Sequence, residues 1–353
     1  MGSTKRSEFE TPLVRGWLSN SQQVQKKGDN MMSKKFFAFC LVVALMVPMA
    51  SFAAEFTLKF GHLANEENVW HKAAVKFADL VAEKSGGRIE VKVYPNEQLG
   101  KEMELIDGIR MGTVDMTITG ESMQNWAPKA GLMGAPYAIR SAEHLAKIAG
   151  GEIGQEIEQE IIEKIGLRPV GWFGRGPRNL TSNRPIKHPD DLQGMILRVP
   201  NVPLFVAVWE ALGAKPTPMA FSEVFTSLQQ GTIEGQENPF ALIKSAGFYE
   251  VQKYCNLTEH VISWIYVVIG EKKFQSMPED LQKVILEAGQ EMQEYEHQLF
   301  QEAEKSLAQE LQDLGMTFVE VDKEAFQKKA EAAVLKALTP EQKDLYMRIK
   351  AVK

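Results

Sequence analysis

The sequence predicts an α/β fold with a largely parallel sheet, and three observations predict it. Apolar–polar alternation at 55–62, 88–95 and 113–119 marks strands, separated by helical patterns at 68–84 and 101–111. That β-α-β-α-β order needs crossover helices, hence parallel strands. Further on, "SWIYVVIG" (263–270) is apolar almost throughout, as a buried strand is.

The elements follow in order. "EFTLKFGH" (55–62) alternates, and the helix after it, near Asn68–Lys84, stops at Gly86-Gly87. "RIEVKVYP" (88–95) ends at Pro95, and the helix around Lys101–Met111 runs into "TVDMTIT" (113–119). Ligands on such sheets sit beyond the carboxyl ends of strands, which is where His62 and Glu121 fall. A helix over 141–165 leads to a strand at 167–174, and "GMILRVP" (194–200) is a strand stopped by Pro200. Helices follow at 202–213, ended by Gly213, and at 221–231. The longest feature is 278–314, apolar at Leu281, Ile285, Ala288, Met292, Tyr295, Leu299, Ala303, Leu307, Leu311 and Leu314. It reads as an amphipathic helix of about 50 Å, either a dimer-forming coiled coil or a strut crossing two lobes. The run of four-residue steps after Tyr295 interrupts a heptad register and favours the strut.

The first 53 residues stand apart. Lys34 and Lys35 precede an apolar run, Phe36–Val47, too short to span a bilayer, and Ser51 and Ala53 are small residues suited to cleavage after Ala53. Residues 31–53 therefore read as a secretory signal peptide, and 1–30 as an over-extended start. Export makes the expected location periplasmic. Removing 1–53 takes 7 basic and 3 acidic residues from totals of 40 and 46, leaving 33 against 43 and a net charge of −10. That acidic surface argues against nucleic acid or an anionic membrane as partner. Only Cys255 remains after Cys40 leaves, so the mature chain is held by its core without an internal disulfide.

The chemistry scan is mostly negative. Six scattered histidines form no zinc pattern, there is no Walker loop, and "GESMQ" (120–124) lacks the second glycine of a nucleophile elbow. His62 and Glu121 can be paired as acid and base or read as a polar pocket lining. No enzyme activity, cofactor or metal is expected.

The positive signal lies in 175–239. In "MILRVPN", Met195, Leu197 and Val199 share one strand face and Arg198 takes the other, near a turn where Asn201 suits an N-cap and Pro203 a first helical turn. A guanidinium beside a helix N-terminus is an anion site; the alternative is a surface arginine paired with an acidic neighbour. Arg175 and Arg178 follow strand 167–174, with Pro177 stiffening the backbone or simply marking a basic crossover loop. In "GTIEGQENPF" (231–240), Asn238 before Pro239 is either part of a polar turn or a polar group held in extended geometry.

"RNLTSNRPI", "LQGMILRVPN", "GAKPTPMAFSEVFTSLQQGTIEGQENP" and "FYEVQKY" resemble the DctP family, the solute-binding proteins of tripartite ATP-independent periplasmic (TRAP) transporters. The similarity runs over the whole mature chain. It implies a two-lobed periplasmic-binding-protein-like fold with a central cleft and a long helix spanning both lobes. The implied lobes are 54–175 with about 263–303, and 176–262 with about 304–353. The implied partners are a small-molecule carboxylate and the integral membrane subunits of the transporter; a monomer is expected. By the same resemblance Arg198 binds the carboxylate, Arg178 and Asn238 match a second arginine and an asparagine, and Asn201, Phe221 and Glu121 line the cleft. Gln124 stands where sialic-acid-binding members carry an arginine, and Leu63 where they carry an asparagine. With His62, Glu121 and Gln124 facing the rest of the solute, a sugar acid such as a uronate is expected over a C4-dicarboxylate, for which Arg178 would supply the second cation.

Overall fold

The computed structural model describes residues 54–353, so the expectations for 1–53 lie outside the described residues. Strands β1 (Phe56–Gly61), β2 (Ile89–Tyr94) and β3 (Met116–Thr119) alternate with helices α1 (Val69–Lys84) and α2 (Glu102–Met111). Both β2 and β3 run parallel to β1, as the order of elements requires. Asn68 caps α1 through its side chain, and Gly112, at φ 79°, closes α2 in a conformation that only glycine adopts without strain.

The expected single helix over 141–165 is two, α3 (Ala142–Ala149) and α4 (Glu152–Ile165), because Gly150-Gly151 ends the first before the second begins. Two strands are far longer than their sequence signals. β4 covers Leu167–Ser182 and β8 Tyr254–Gly270, paired antiparallel through the middle of the sheet. "GRGPRN" reads as a loop, yet register shifts between Pro169 and Gly171 and on both sides of Arg178 absorb the proline and glycines without ending the ladder.

Between them come β5 (Ile196–Val199), α5 (Pro203–Leu212), β6 (Lys215–Pro218), α6 (Phe221–Gln229), β7 (Gly235–Pro239) and α7 (Phe240–Ser245). "GQENP" is thus a strand, antiparallel to β4 and parallel to β5. After β8 follow α8 (Glu271–Gln275), α9 (Glu279–Asp313), β9 (Thr317–Val319), α10 (Lys323–Ala337) and α11 (Pro340–Ala351). The sheet order is β2-β1-β3-β8-β4-β7-β5-β6, with β9 on β8. One half is the β1–β3 unit, the other the β5–β7 unit, and β4 and β8 join them.

Helix α9 serves as the strut. Leu281, Ile285, Ala288 and Met292 enter the core of the β1–β3 half, while Leu311 enters a separate core with Val224, Leu228 and Phe248. Gly289 lets the helix press onto β4: a Cβ there would lie 2.0 Å from the Val170 carbonyl oxygen. Among the described residues no helix is long and apolar enough to cross a membrane, and Cys255 is buried and free.

Candidate functional site

A cavity of about 50 Å³, room for a few waters, opens between the sheet halves. Thr119, Gly120, Glu121 and Ser122 reach it from the carboxyl end of β3, Arg175 and Arg178 from β4, Arg198 from β5, Asn238 from β7 and Phe221 from the start of α6; Glu102, Leu63 and Trp70 also line it.

Three buried arginines face this space, and their surroundings differ. Arg178 is 2% exposed and its fork is filled: Nε donates to Glu237 Oε2 at 2.5 Å and Nη2 to Glu237 Oε1 at 2.7 Å. His260 Nε2 sits 2.9 Å from the same Oε2, and its Nδ1 2.9 Å from the Thr258 hydroxyl. Burial raises the Glu237 pKa, but Arg178 and His260 overcome it and hold the carboxyl at about 2. Arg175 is also paired, Nη1 donating to Glu121 Oε2 at 2.9 Å, with Trp70 beside it at 5.9 Å.

Arg198 is 3% exposed and has no carboxylate within 4.0 Å among the described residues. Its Nε and Nη2 both donate to the Met219 carbonyl, at 3.0 and 2.7 Å, and Phe221 stacks 6.0 Å away. Nη1 takes no partner among the described residues. Burial, partly offset by Glu237, lowers the Arg198 pKa to about 10, which leaves it charged at neutral pH. A desolvated cation with an open edge is an anion receptor.

Asn238 is fixed by a relay: its Nδ2 donates to Gln236 Oε1 at 2.6 Å, Gln236 Nε2 to the Thr181 hydroxyl at 2.9 Å, and that hydroxyl to Gln252 at 3.1 Å. Its carbonyl oxygen is left out of the relay. On the opposite wall Glu102 accepts from the Thr119 hydroxyl at 2.7 Å and the Ser122 hydroxyl at 3.1 Å, and burial raises its pKa against those bonds.

Of the residues singled out in the sequence, Arg198, Arg178, Asn238, Glu121 and Phe221 line the cavity. Asn201 lines an adjoining pocket, is exposed, and does not cap α5: Val202 holds that position without a side-chain bond. Gln124 takes the capping role, its Oε1 accepting from Leu204 N at 3.1 Å, which turns it away from the cavity. His62 does not reach the cavity either. It is fully buried, 3.2 Å from His71 Nδ1, and burial pushes it down to about 3, so it is neutral. Arg175 and Arg178 are neither strand exits nor a crossover loop but lie within β4. Glu102, Thr119, Glu237 and His260 carry no role in the sequence analysis, and Ser122 enters it only within the rejected nucleophile elbow. Thr119 had a legible signal, the end of a parallel strand; the pairing of Arg178 with Glu237 crosses two strands and had none.

Residues 60–340 match the family model "DctP: Bacterial extracellular solute-binding protein, family 7". The chain belongs to the DctP family. A solute-binding protein of Roseobacter denitrificans is 58% identical over 310 residues, 87% of this chain and 94% of that one. A crystal structure of a TRAP periplasmic solute-binding protein from that organism, with bound L-galactonate, is 57% identical at a TM-score of 0.83, covering 84% of this chain and 99% of the other. The 2,3-diketo-L-gulonate-binding periplasmic protein of Escherichia coli is 33% identical over 280 residues, 78% of this chain and 85% of its own. This DctP protein is accordingly a two-lobed solute-binding protein of the TRAP class, a transport family that works outside the cytoplasm with membrane subunits.

Proposed function

We propose that this DctP protein captures a sugar acid, an aldonate or uronate, by its carboxylate and passes it to the membrane subunits of a TRAP transporter. One observation carries the reading: of three buried arginines around the cavity, only Arg198 lacks a carboxylate of its own. The site therefore calls for one anionic group. A dicarboxylate would bring a second, but Arg178 is already occupied by Glu237, and the opposite wall presents Glu102 and Glu121. Carboxylates and the Thr119 and Ser122 hydroxyls suit the hydroxyls of a polyol chain. The relatives with L-galactonate and 2,3-diketo-L-gulonate support the same class.

In this reading Arg198 holds the carboxylate, the second hydrogen of Asn238 Nδ2 adds a donor, Phe221 covers it, and Glu102 and Glu121 accept from hydroxyls. The lobes divide along β4 and β8, as 54–175 with about 263–303 and 176–262 with about 304–353, and closure follows from solute contacts on both. The protein works as an exported monomer cleaved after Ala53 and performs no chemistry on its solute. A thermal-shift screen of uronates, aldonates, keto acids and dicarboxylates tests it, since a ligand raises the melting point by mass action. Sugar acids are expected to raise it; a shift with dicarboxylates alone overturns the reading.

A further inference from the structure

The cover over Arg198 is Phe221, the first residue of α6. It packs edge-on against Phe248 at 5.7 Å and lines the solute cavity and two flanking cavities of about 240 and 280 Å³. The first turn of α6 is also held from the other half of the sheet, by the segment 95–101 between β2 and α2. Lys101 Nζ donates to Glu223 Oε1 at 2.8 Å. The other oxygen of Glu223 accepts from the amide of the N-cap residue, Ala220 N, at 3.3 Å. A few residues earlier, Glu97 lies against Ser222 of the same turn. Within this segment Asn96 and Glu97 have φ of 55° and 56°, fixed by amide bonds to the Ala64 and His62 carbonyls, both at 3.0 Å. Neither Lys101 nor Glu223 lines the solute cavity.

We propose that the Lys101–Glu223 pair is a latch across the two halves, which keeps the α6 cap closed and Phe221 over Arg198, and so sets how fast bound solute leaves. Lys101 and Glu223 are positioning residues in this account, which rests on the reading of Arg198 as the carboxylate anchor. Because the lysine and glutamate are both exposed, the latch yields to salt. The carboxylate that Lys101 grips is the one that bonds the N-cap amide, so releasing the pair also loosens the turn that carries Phe221.

A mutant cycle with Lys101→Met, Glu223→Gln and the double variant tests this; Gln at 223 keeps the capping acceptor and removes the charge. Two readouts are needed: release of L-galactonate or D-galacturonate by stopped flow, and hydrogen exchange of the 221–224 amides in the solute-free protein. Each single variant is expected to speed release by about two- to five-fold, the range of an exposed ion pair, with less change in the association rate. The double variant should release no faster than the faster single, because both remove one contact. Exchange at 221–224 should rise in the same non-additive pattern, and high salt should speed release from wild type but not from Lys101→Met. Unchanged release, or effects that simply multiply, would overturn the latch. If neither sugar acid binds wild type, the reading of the site has failed; the exchange pattern then still decides whether the pair holds the α6 turn.

Discussion

Arg178 and Arg198 stand on neighbouring parts of one sheet, equally buried, and face the same cavity, yet they solve the problem of a desolvated charge in opposite ways. Arg178 is gripped from within by Glu237 with His260 behind it; Arg198 has only a carbonyl and an open edge. In the proposed reading the difference separates scaffold from socket. A buried charge with an internal partner holds the fold in shape, whereas one without a partner stores a demand that a solute meets. The long helix α9 supplies a third case. Glu296 is fully buried with neither oxygen hydrogen-bonded among the described residues, and burial raises its pKa well above the usual carboxylate range. A carboxyl can escape by taking a proton. A guanidinium cannot, and in the proposed reading the solute's carboxylate meets Arg198.

The comparison can be broken in three places. Arg178→Ala leaves Glu237 buried without its cation and should destabilise the protein by about 3–5 kcal/mol, read by chemical denaturation. A loss near zero would make Arg178 a second socket and reopen the dicarboxylate reading. Glu296→Gln tests the carboxyl. Its folded pKa lies above its unfolded one, so the wild-type penalty is absent below the unfolded value and grows as pH rises past it. The Gln variant should therefore melt higher than wild type at pH 8, with the gap closing towards pH 4; a gap independent of pH would show that burial leaves the Glu296 carboxyl unshifted. Smallest is Arg198→Met without solute. It removes an unpaired buried charge and one pair of bonds to Met219, so stability should stay within about 1 kcal/mol of wild type in the same denaturation measurement.

Much of this was legible in the sequence, and the failures share a cause. Strand alternation, the glycine stops and the apolar stripe of α9 are local signals, and they placed the elements. The strand expected at 167–174 is shorter than β4 because Pro177 and its glycines speak for a loop locally, while the ladder that overrides them is formed by residues about 80 positions apart. Arg198 and Asn238 line the cavity, but their own sequence context leaves a surface ion pair and a polar turn open, and only the resemblance to the family favours the site. Gln124 was misjudged for the same non-local reason: its partner, the Leu204 amide, lies 80 residues on. His62 ends a strand as a ligand residue would, but its nearest polar partner is His71 and its ring turns into the core beside Phe60. Which arginine is free depends on where the carboxylates land, and only the fold decides that.

The most direct measurement is calorimetry of L-galactonate, with galactitol as its uncharged counterpart, on wild type and Arg198→Lys. Galactonate should bind wild type and galactitol should not. The lysine variant should lose about 100-fold or more, since one ammonium cannot reproduce the fork and each charged hydrogen bond contributes about 1.5–3 kcal/mol. Unchanged affinity in the lysine variant, or comparable binding of galactitol, would contradict the assignment of Arg198 as the carboxylate anchor.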